Sequence, residues 1–393
     1  MLCVKPILRD RVFISTHENE FNRNALYGGN MPSFKKQVEE CTECGECNLI
    51  CPVCAVDDRA IFDPEHKIKL LAKIEGNGQL SQEEIDSIYL CTRCGACNDV
   101  CPVDIDISGI VQYERSLLAN QGREPEKTKH ITNNILTKYN PKGLDNEDRA
   151  SMWVTDDLRF SDDDSLGYMA GCWVVFKNAH IAQDTVRLLN ECGVTPRLIP
   201  DERCCGLFVI DNGHLDEARE YAKSYTDYLE SLGIKRLLVS CPACYNVLAN
   251  LYPDLYREPD YEVVHAVEYF KELYDAGKLA FNGASGKVMI KDACPMKEHF
   301  DMARELLDAA GYEVFDPFDK KVFCCGAPAG VKPNYPEISN AIGKYSLDKR
   351  GDATSVVTYC PFCMHHFDGV REAYGIETPI EDIASLLWRS TKK

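Results

Sequence analysis

This chain is short of positive charge and of long apolar runs, and each shortage removes a class of function. Its 44 Lys and Arg face 62 Asp and Glu, a formal net charge of −18 over 393 residues. The basic residues form no block, which argues against nucleic acid, because neutralising phosphates needs clustered cations. No segment approaches about eighteen consecutive apolar residues, so any membrane attachment is expected through a partner subunit. The opening MLCVKPILRDR has no apolar core of a secretory signal, which points to a reducing, anaerobic, cytoplasmic setting. Neither G-x-G-x-x-G nor G-x-x-x-x-G-K-[ST] occurs, and FNGASGK reads as a loop, so no flavin or nicotinamide is expected on this chain. Electrons must then come from another protein.

What the chain has in abundance is cysteine, 21 residues. Ten form two copies of one pattern: Cys172, Cys204, Cys205, Cys241 and Cys244, then Cys294, Cys324, Cys325, Cys360 and Cys363. The spacings are C-x31-C-C-x35-C-x-x-C and C-x29-C-C-x34-C-x-x-C, with glycine after each vicinal pair, at Gly206 and Gly326. Adjacent cysteines fit poorly at two corners of a compact cube but suit an extended iron–sulfur cluster with a bridging thiolate. The glycines allow positive φ or close approach of backbone to inorganic sulfur, and Pro242, Pro295 and Pro361 stiffen the ligand loops.

Eight more cysteines form C-x2-C-x2-C-x3-C-P twice, at Cys41, Cys44, Cys47, Cys51 and at Cys91, Cys94, Cys97, Cys101. In this bacterial ferredoxin run the fourth cysteine serves the other cluster. One cubane [4Fe-4S] cluster is therefore expected on Cys41, Cys44, Cys47 and Cys101, and a second on Cys91, Cys94, Cys97 and Cys51. A zinc ribbon would leave half of these cysteines without a role. Thioredoxin-like dithiols at Cys241–Cys244 and Cys360–Cys363 would not need the upstream vicinal pairs. A disulfide framework does not suit so long a chain. Cys3, Cys54 and Cys192 remain, and read as small buried hydrophobes.

Together these motifs resemble the catalytic iron–sulfur subunit of heterodisulfide reductase, over roughly the whole chain after its first forty residues. The resemblance implies that each five-cysteine motif, a CCG domain, holds a non-cubane [4Fe-4S] cluster, and that the two face each other across the heterodisulfide of coenzyme M and coenzyme B. The fused layout is similar to the membrane-linked form, which implies a cytochrome b-type partner as donor and a peripheral position on the inner face of the membrane. It further implies a cleft offering cations to an anionic substrate. Lys177, Arg203, Lys297, His299 and Lys332 are the candidates, with His365 and His366 as candidate proton donors. Each has a plainer reading as a solvated surface residue. The competing assignment is an electron-transfer protein serving a flavin dehydrogenase of the glycolate oxidase or anaerobic glycerol-3-phosphate dehydrogenase type. In those relatives at least one CCG motif usually lacks part of its last C-P-x-C, whereas here both are complete.

The cysteines also divide the chain, into an N-terminal extension (1–35), a small α+β ferredoxin-like module (36–111), a connector (112–164) and two CCG lobes (165–285 and 286–393). SQEEIDSIYL carries a helix start. In each lobe three strands are expected to run into ligands: LGYMAGC, TPRLIP and RLLVSC, then KVMIKDAC, YEVFDP and SVVTYC. Helices are expected near 179–192 and 297–310. The order strand–helix–strand–helix–strand, given twice, predicts an α/β protein with two duplicated Rossmann-like lobes related by a pseudo-twofold. Two electrons cleave a disulfide, so one cluster on each side would serve one sulfur each, with the cubanes as the wire.

Overall fold

The computed structural model describes residues 34–146, 149–163 and 165–392. Cys3 and most of the N-terminal extension lie outside them. From 166 onward the chain forms two four-stranded, wholly parallel sheets of identical order. The first is β2-β1-β3-β4, from β1 (Leu166–Met169), β2 (Arg197–Leu198), β3 (Arg236–Val239) and β4 (Glu262–His265). The second is β6-β5-β7-β8, from β5 (Lys287–Lys291), β6 (Glu313–Phe315), β7 (Ser355–Thr358) and β8 (Ile380–Asp382). Every residue of β1 and of β7 is buried, as a parallel sheet covered on both faces requires.

The three expected strands of each lobe are present, with helices Ala179–Glu191 and Phe300–Ala310 close to where periodicity puts them. A fourth strand in each lobe, β4 and β8, is an addition to that reading. Strand β8 has only three residues and ends in acids, so it carries no strong strand pattern.

The lobes pack reciprocally. Helix Ala179–Glu191 of the first lies on helix Ile383–Ser390 of the second, while helix Ala266–Asp275 of the first lies on helix Phe300–Ala310 of the second. One apolar core runs through both, from Leu166 and Val186 to Ile290 and Leu387.

Where an α+β module was expected, the described residues before β1 form helices only. Helix Gln82–Tyr89 starts at Ser81 with a full capping box: Ser81 accepts from the Glu84 amide at 3.2 Å, and the Glu84 carboxylate accepts from the Ser81 amide at 2.7 Å. Buried Arg115, on helix Ile107–Asn120, ties the module to both lobes by donating to the carbonyls of Ile88, Cys91, Asp211 and Ala329.

Candidate iron–sulfur sites and the junction between the lobes

The two ferredoxin runs fold alike. Glu43 and Arg93 share a left-handed conformation, as do Gly45 and Gly95, which cap short helices at Glu46–Ile50 and Ala96–Asp99. These turns bend each run around a hollow. One hollow, about 330 Å³, is lined by Cys41, Cys44, Cys47 and Cys101. The other, about 420 Å³, is lined by Cys91, Cys94, Cys97 and Cys51. Each thus takes three cysteines from one run and the fourth from the other. Burial, then Glu65, pushes the Cys47 thiol up to about 12. Burial, then Cys294, does the same to Cys94. Such thiols hold their protons unless a metal replaces them. No group of three or more metal-binding side chains among the described residues closes around a single ion. Four cysteines drawn from two ferredoxin runs around each hollow suit an iron–sulfur group. Cys54 stands beside this site, donating to Asp63 Oδ1 at 3.5 Å.

In each lobe the strand ends bring five thiols into one chain of contacts. Cys172 Sγ lies 3.7 Å from Cys204 Sγ, and the sequence continues through Cys205 and Cys244 to Cys241. The second lobe repeats it as Cys294, Cys324, Cys325, Cys363 and Cys360. The hydrogen bonds from Cys172 and Cys205 hold Cys204 well below the usual thiol range, while Cys172 is driven up by its bond to Cys204 and by burial. Gly206 (φ 78°) and Gly326 (φ 94°) turn the chain sharply after each vicinal pair. Pro242 and Pro361 open helices directly behind Cys241 and Cys360, where proline's missing N–H costs nothing. This puts a helix N-terminus beside the thiolates, a favourable place for negative charge.

Residues that motif reading did not reveal hold these loops. Tyr221 and Tyr252 donate to the carbonyls of Cys204 and Cys205 at 2.8 and 2.9 Å. Arg149 and Glu202, both buried, pair at 2.7 Å, and Glu202 accepts from the amides of Ala170 and Gly171 just before Cys172. In the second lobe buried Lys291 donates to the Asp292 carbonyl at 2.9 Å. Burial opposes its charge, and the neighbouring thiolates of Cys294 and Cys363 outweigh that cost and favour the ammonium. Burial of these positions among sequence-distant partners leaves no short-range signal.

The ligand-bearing helices of the two lobes meet. Helix Cys172–Lys177 packs on helix Pro361–Tyr374, and helix Pro242–Asn246 packs on the turn Cys294–His299. Asn178 donates to the Pro361 carbonyl at 2.8 Å across this junction. The Trp173 ring lies near-parallel to those of Phe362 (4.6 Å) and His365 (5.0 Å), which stand one turn apart on the same helix.

Of the residues expected at a substrate, Lys177, Lys332 and His365 come together here. Lys142, from the connector, joins them with its Nζ 5.7 Å from the Trp173 ring; its distance in sequence from any cysteine motif hid it. Burial, then Lys332, Lys177 and Lys142, brings His365 down to about 4. His366 is fully buried with Nε2 3.1 Å from the Ser339 carbonyl, and burial, then Lys332, brings it down to about 4 as well. Lys297 is paired with Asp99 at 2.5 Å, His299 lies 3.8 Å from Glu268, and Arg203 pairs with Asp201 and lies over Tyr139. These three stand apart from the lysine group.

Crossed four-cysteine hollows beside two duplicated five-thiol lobes define an iron–sulfur protein of the oxidoreductases. Family models agree, matching a 4Fe-4S dicluster domain at 37–105 and the cysteine-rich CCG domain at 166–249 and 291–368. The chain belongs to the family that joins these domains in one polypeptide, the fused ferredoxin and double CCG form found in heterodisulfide reductase. One subunit of the dihydromethanophenazine:CoB–CoM heterodisulfide reductase of Methanosarcina acetivorans is 29% identical over 89% of this chain and 93% of its own length. EtfAB:quinone oxidoreductase of Syntrophomonas wolfei is 32% identical over 72% of this chain and 43% of its own. One subunit of the fumarate reductase (CoM/CoB) of Methanothermobacter marburgensis is 22% identical over 90% and 72%. No helix among the described residues is long and apolar enough to cross a membrane.

Proposed function

We propose that this chain is the catalytic iron–sulfur subunit of a heterodisulfide reductase, reducing the disulfide of coenzyme M and coenzyme B to two thiols. The observation that carries this reading is the junction: two complete five-thiol sets, one per lobe, whose ligand-bearing helices cross reciprocally. That reciprocity supports a pseudo-twofold, as an isologous contact has. The residues at hand suit two cubane clusters in the crossed hollows and two non-cubane clusters in the lobes. When bound, such clusters supply single electrons, and iron sites for the two sulfurs. The protein's own part is to hold the thiolates at the strand ends, to keep water from them by burial, and to align a disulfide between the lobes. The ferredoxin module reaches the second lobe, since Cys94 lies close enough to Cys294 and Cys324 for their charges to act on one another. It thereby sets the entry of electrons from a partner. A cytochrome b-type membrane partner on the cytoplasmic face suits the similarity to the dihydromethanophenazine-linked reductase.

The similarity to EtfAB:quinone oxidoreductase favours a second reading, an electron relay for a flavin dehydrogenase. Two measurements separate them. Anaerobically purified protein is expected to carry about sixteen irons per chain, and about eight would remove the disulfide mechanism and leave the relay. Cys241→Ser or Cys360→Ser is expected to abolish disulfide reduction by a reduced viologen while the cubane EPR signals persist. Retained turnover would overturn the proposal.

A further inference from the structure

The two hollows of the ferredoxin module are built from matching cysteines and matching turns, yet one helix gives them opposite charges. Glu65 of helix Pro64–Glu75 lines the hollow of Cys41, Cys44, Cys47 and Cys101, and Lys67 of the same helix lines that of Cys91, Cys94, Cys97 and Cys51. Residues two apart stand about 200° round a helix, so the two side chains leave on opposite sides.

Neither charge is cancelled by a salt bridge. Lys67 is 2% exposed, donates to the Phe62 carbonyl, and pairs with no carboxylate among the described residues. Glu114, on helix Ile107–Asn120, is close enough for its charge to matter to Lys67, but burial pushes its carboxyl well above the usual range. It holds its proton and leaves the ammonium to the thiolates. Glu65 pairs with no cation among the described residues, and its Oε2 is buried without a hydrogen-bond partner. Lys69, whose charge acts on Glu65, is 40% exposed and matched by Glu43 at 2.7 Å. Through space Lys67 favours a thiolate at Cys51, and Glu65 disfavours one at Cys47.

An iron–sulfur cluster gains a negative charge on reduction, so a nearby cation raises its potential and a nearby carboxylate lowers it. Like ligand sets would otherwise give two similar potentials. The exposed ligand Cys44 belongs to the first hollow, whereas Cys94 of the second lies close enough to Cys294 for their charges to interact.

We propose that Glu65 and Lys67 set the direction of electron flow through the module: Glu65 lowers the potential of the first cubane, Lys67 raises that of the second, and an electron entering at the exposed end runs downhill towards the lobes. The step moves one electron, oxidising the first cubane and reducing the second, with no bond or proton changed. The inference rests on the two-cubane reading of the module and not on the identity of the substrate.

The test is an EPR-monitored redox titration of the anaerobically purified full chain, with iron content and thermal melts beside it. The parent protein is expected to reduce its cubanes in two separate one-electron steps. Lys67→Met is expected to lower the upper step alone and Glu65→Gln to raise the lower step alone, each by about a tenfold change in the ratio of reduced to oxidised cluster at a fixed potential. The double variant brings the two steps together, and Lys67→Arg leaves the upper step in place. A purely structural role would change iron content or melting without moving the steps in opposite directions. Steps that stay where they are, or that move the same way in both variants, would overturn the proposal. Glu65→Gln is close in shape to the parent side chain and decides the matter if Lys67→Met loses its cluster. Fewer than two cubane signals in the parent would overturn the cubane assignment itself, and the proposal with it.

Discussion

The two lobes repeat a strand order and a chain of five thiols, yet they put different charges beside those thiols. In the first, Arg149 is neutralised by Glu202, whose carboxylate also fastens the turn before Cys172. In the second, Lys291 takes the place that Met169 holds at the end of the matching strand, and its ammonium meets a carbonyl and the thiolates themselves. The last strands differ likewise. His265 Nδ1 caps helix Ala266–Asp275 by accepting from the Val267 amide at 3.2 Å, and Asp382 caps helix Ile383–Ser390 by accepting from the Ala384 amide at 2.8 Å. Duplication has kept what positions sulfur and varied what sets the local charge.

The largest effect on this comparison is expected from the cations. Arg149→Met leaves Glu202 buried without its partner, and should lower the unfolding free energy by about 3–5 kcal/mol. Lys291→Met strands no buried carboxylate, so chemical denaturation should show a much smaller loss. In an EPR-monitored redox titration it should instead shift the second lobe's centre to lower potential, because a cation that favours the reduced form is gone. Equal denaturation losses in the two variants would erase the distinction.

Next come the glycines behind the vicinal pairs. A Cβ on Gly326 would sit 2.7 Å from Ile342 Cβ and 2.9 Å from the Ser339 carbonyl, whereas on Gly206 its nearest neighbour would be the Tyr221 ring, at 3.4 Å. Both positions have positive φ. Gly206→Ala should cost about 1–2 kcal/mol from the backbone alone, and Gly326→Ala about 1–3 kcal/mol more from the clash. Thermal melts of the two variants rank them.

The smallest effect concerns the helix caps and pH. Burial raises Asp382 from 3.8 to about 7, with the Ala384 amide opposing the rise and Asp184 adding to it. The folded state holds this proton more tightly than the unfolded one, so the contribution is full below about pH 4 and is lost as pH rises to about 7. His265 is lowered from 6.5 to about 3 by burial, then by His299. Its contribution is full above about pH 6.5 and is lost as pH falls. Between about pH 5.5 and 7, Asp382→Asn should gain about 2 kcal/mol relative to the parent protein. His265→Asn should show its advantage at the acid end instead. Parallel slopes for the two variants in denaturation against pH would contradict this assignment.

Much of this molecule was legible because its chemistry is repetitive. The paired spacings announced two lobes and two ferredoxin runs. The signals that failed were those spread over distance or carried by few residues. Strand β8 is short, and one of its residues is the helix cap Asp382, so no alternation could mark it. The all-helical module departs from its expected strands because its short ligand loops and the helices around Arg115 leave no extended pair.

Among the candidate residues, proximity in sequence to a cysteine does not by itself fix where a side chain lies. His366 adjoins His365, yet helical rotation of about 100° per residue turns it into the core beneath Ser339. Lys297 neighbours Cys294 but is held by Asp99.

The sequence by itself determined the number and grouping of the thiols and the duplicated parallel lobes, since spacing and periodicity are local properties of a chain. Only the tertiary structure decided how the helical module docks on both lobes and which cation serves each set of thiols. Those relations join residues up to about two hundred positions apart, and they arise from how helices of separate lobes pack, which no short-range pattern encodes.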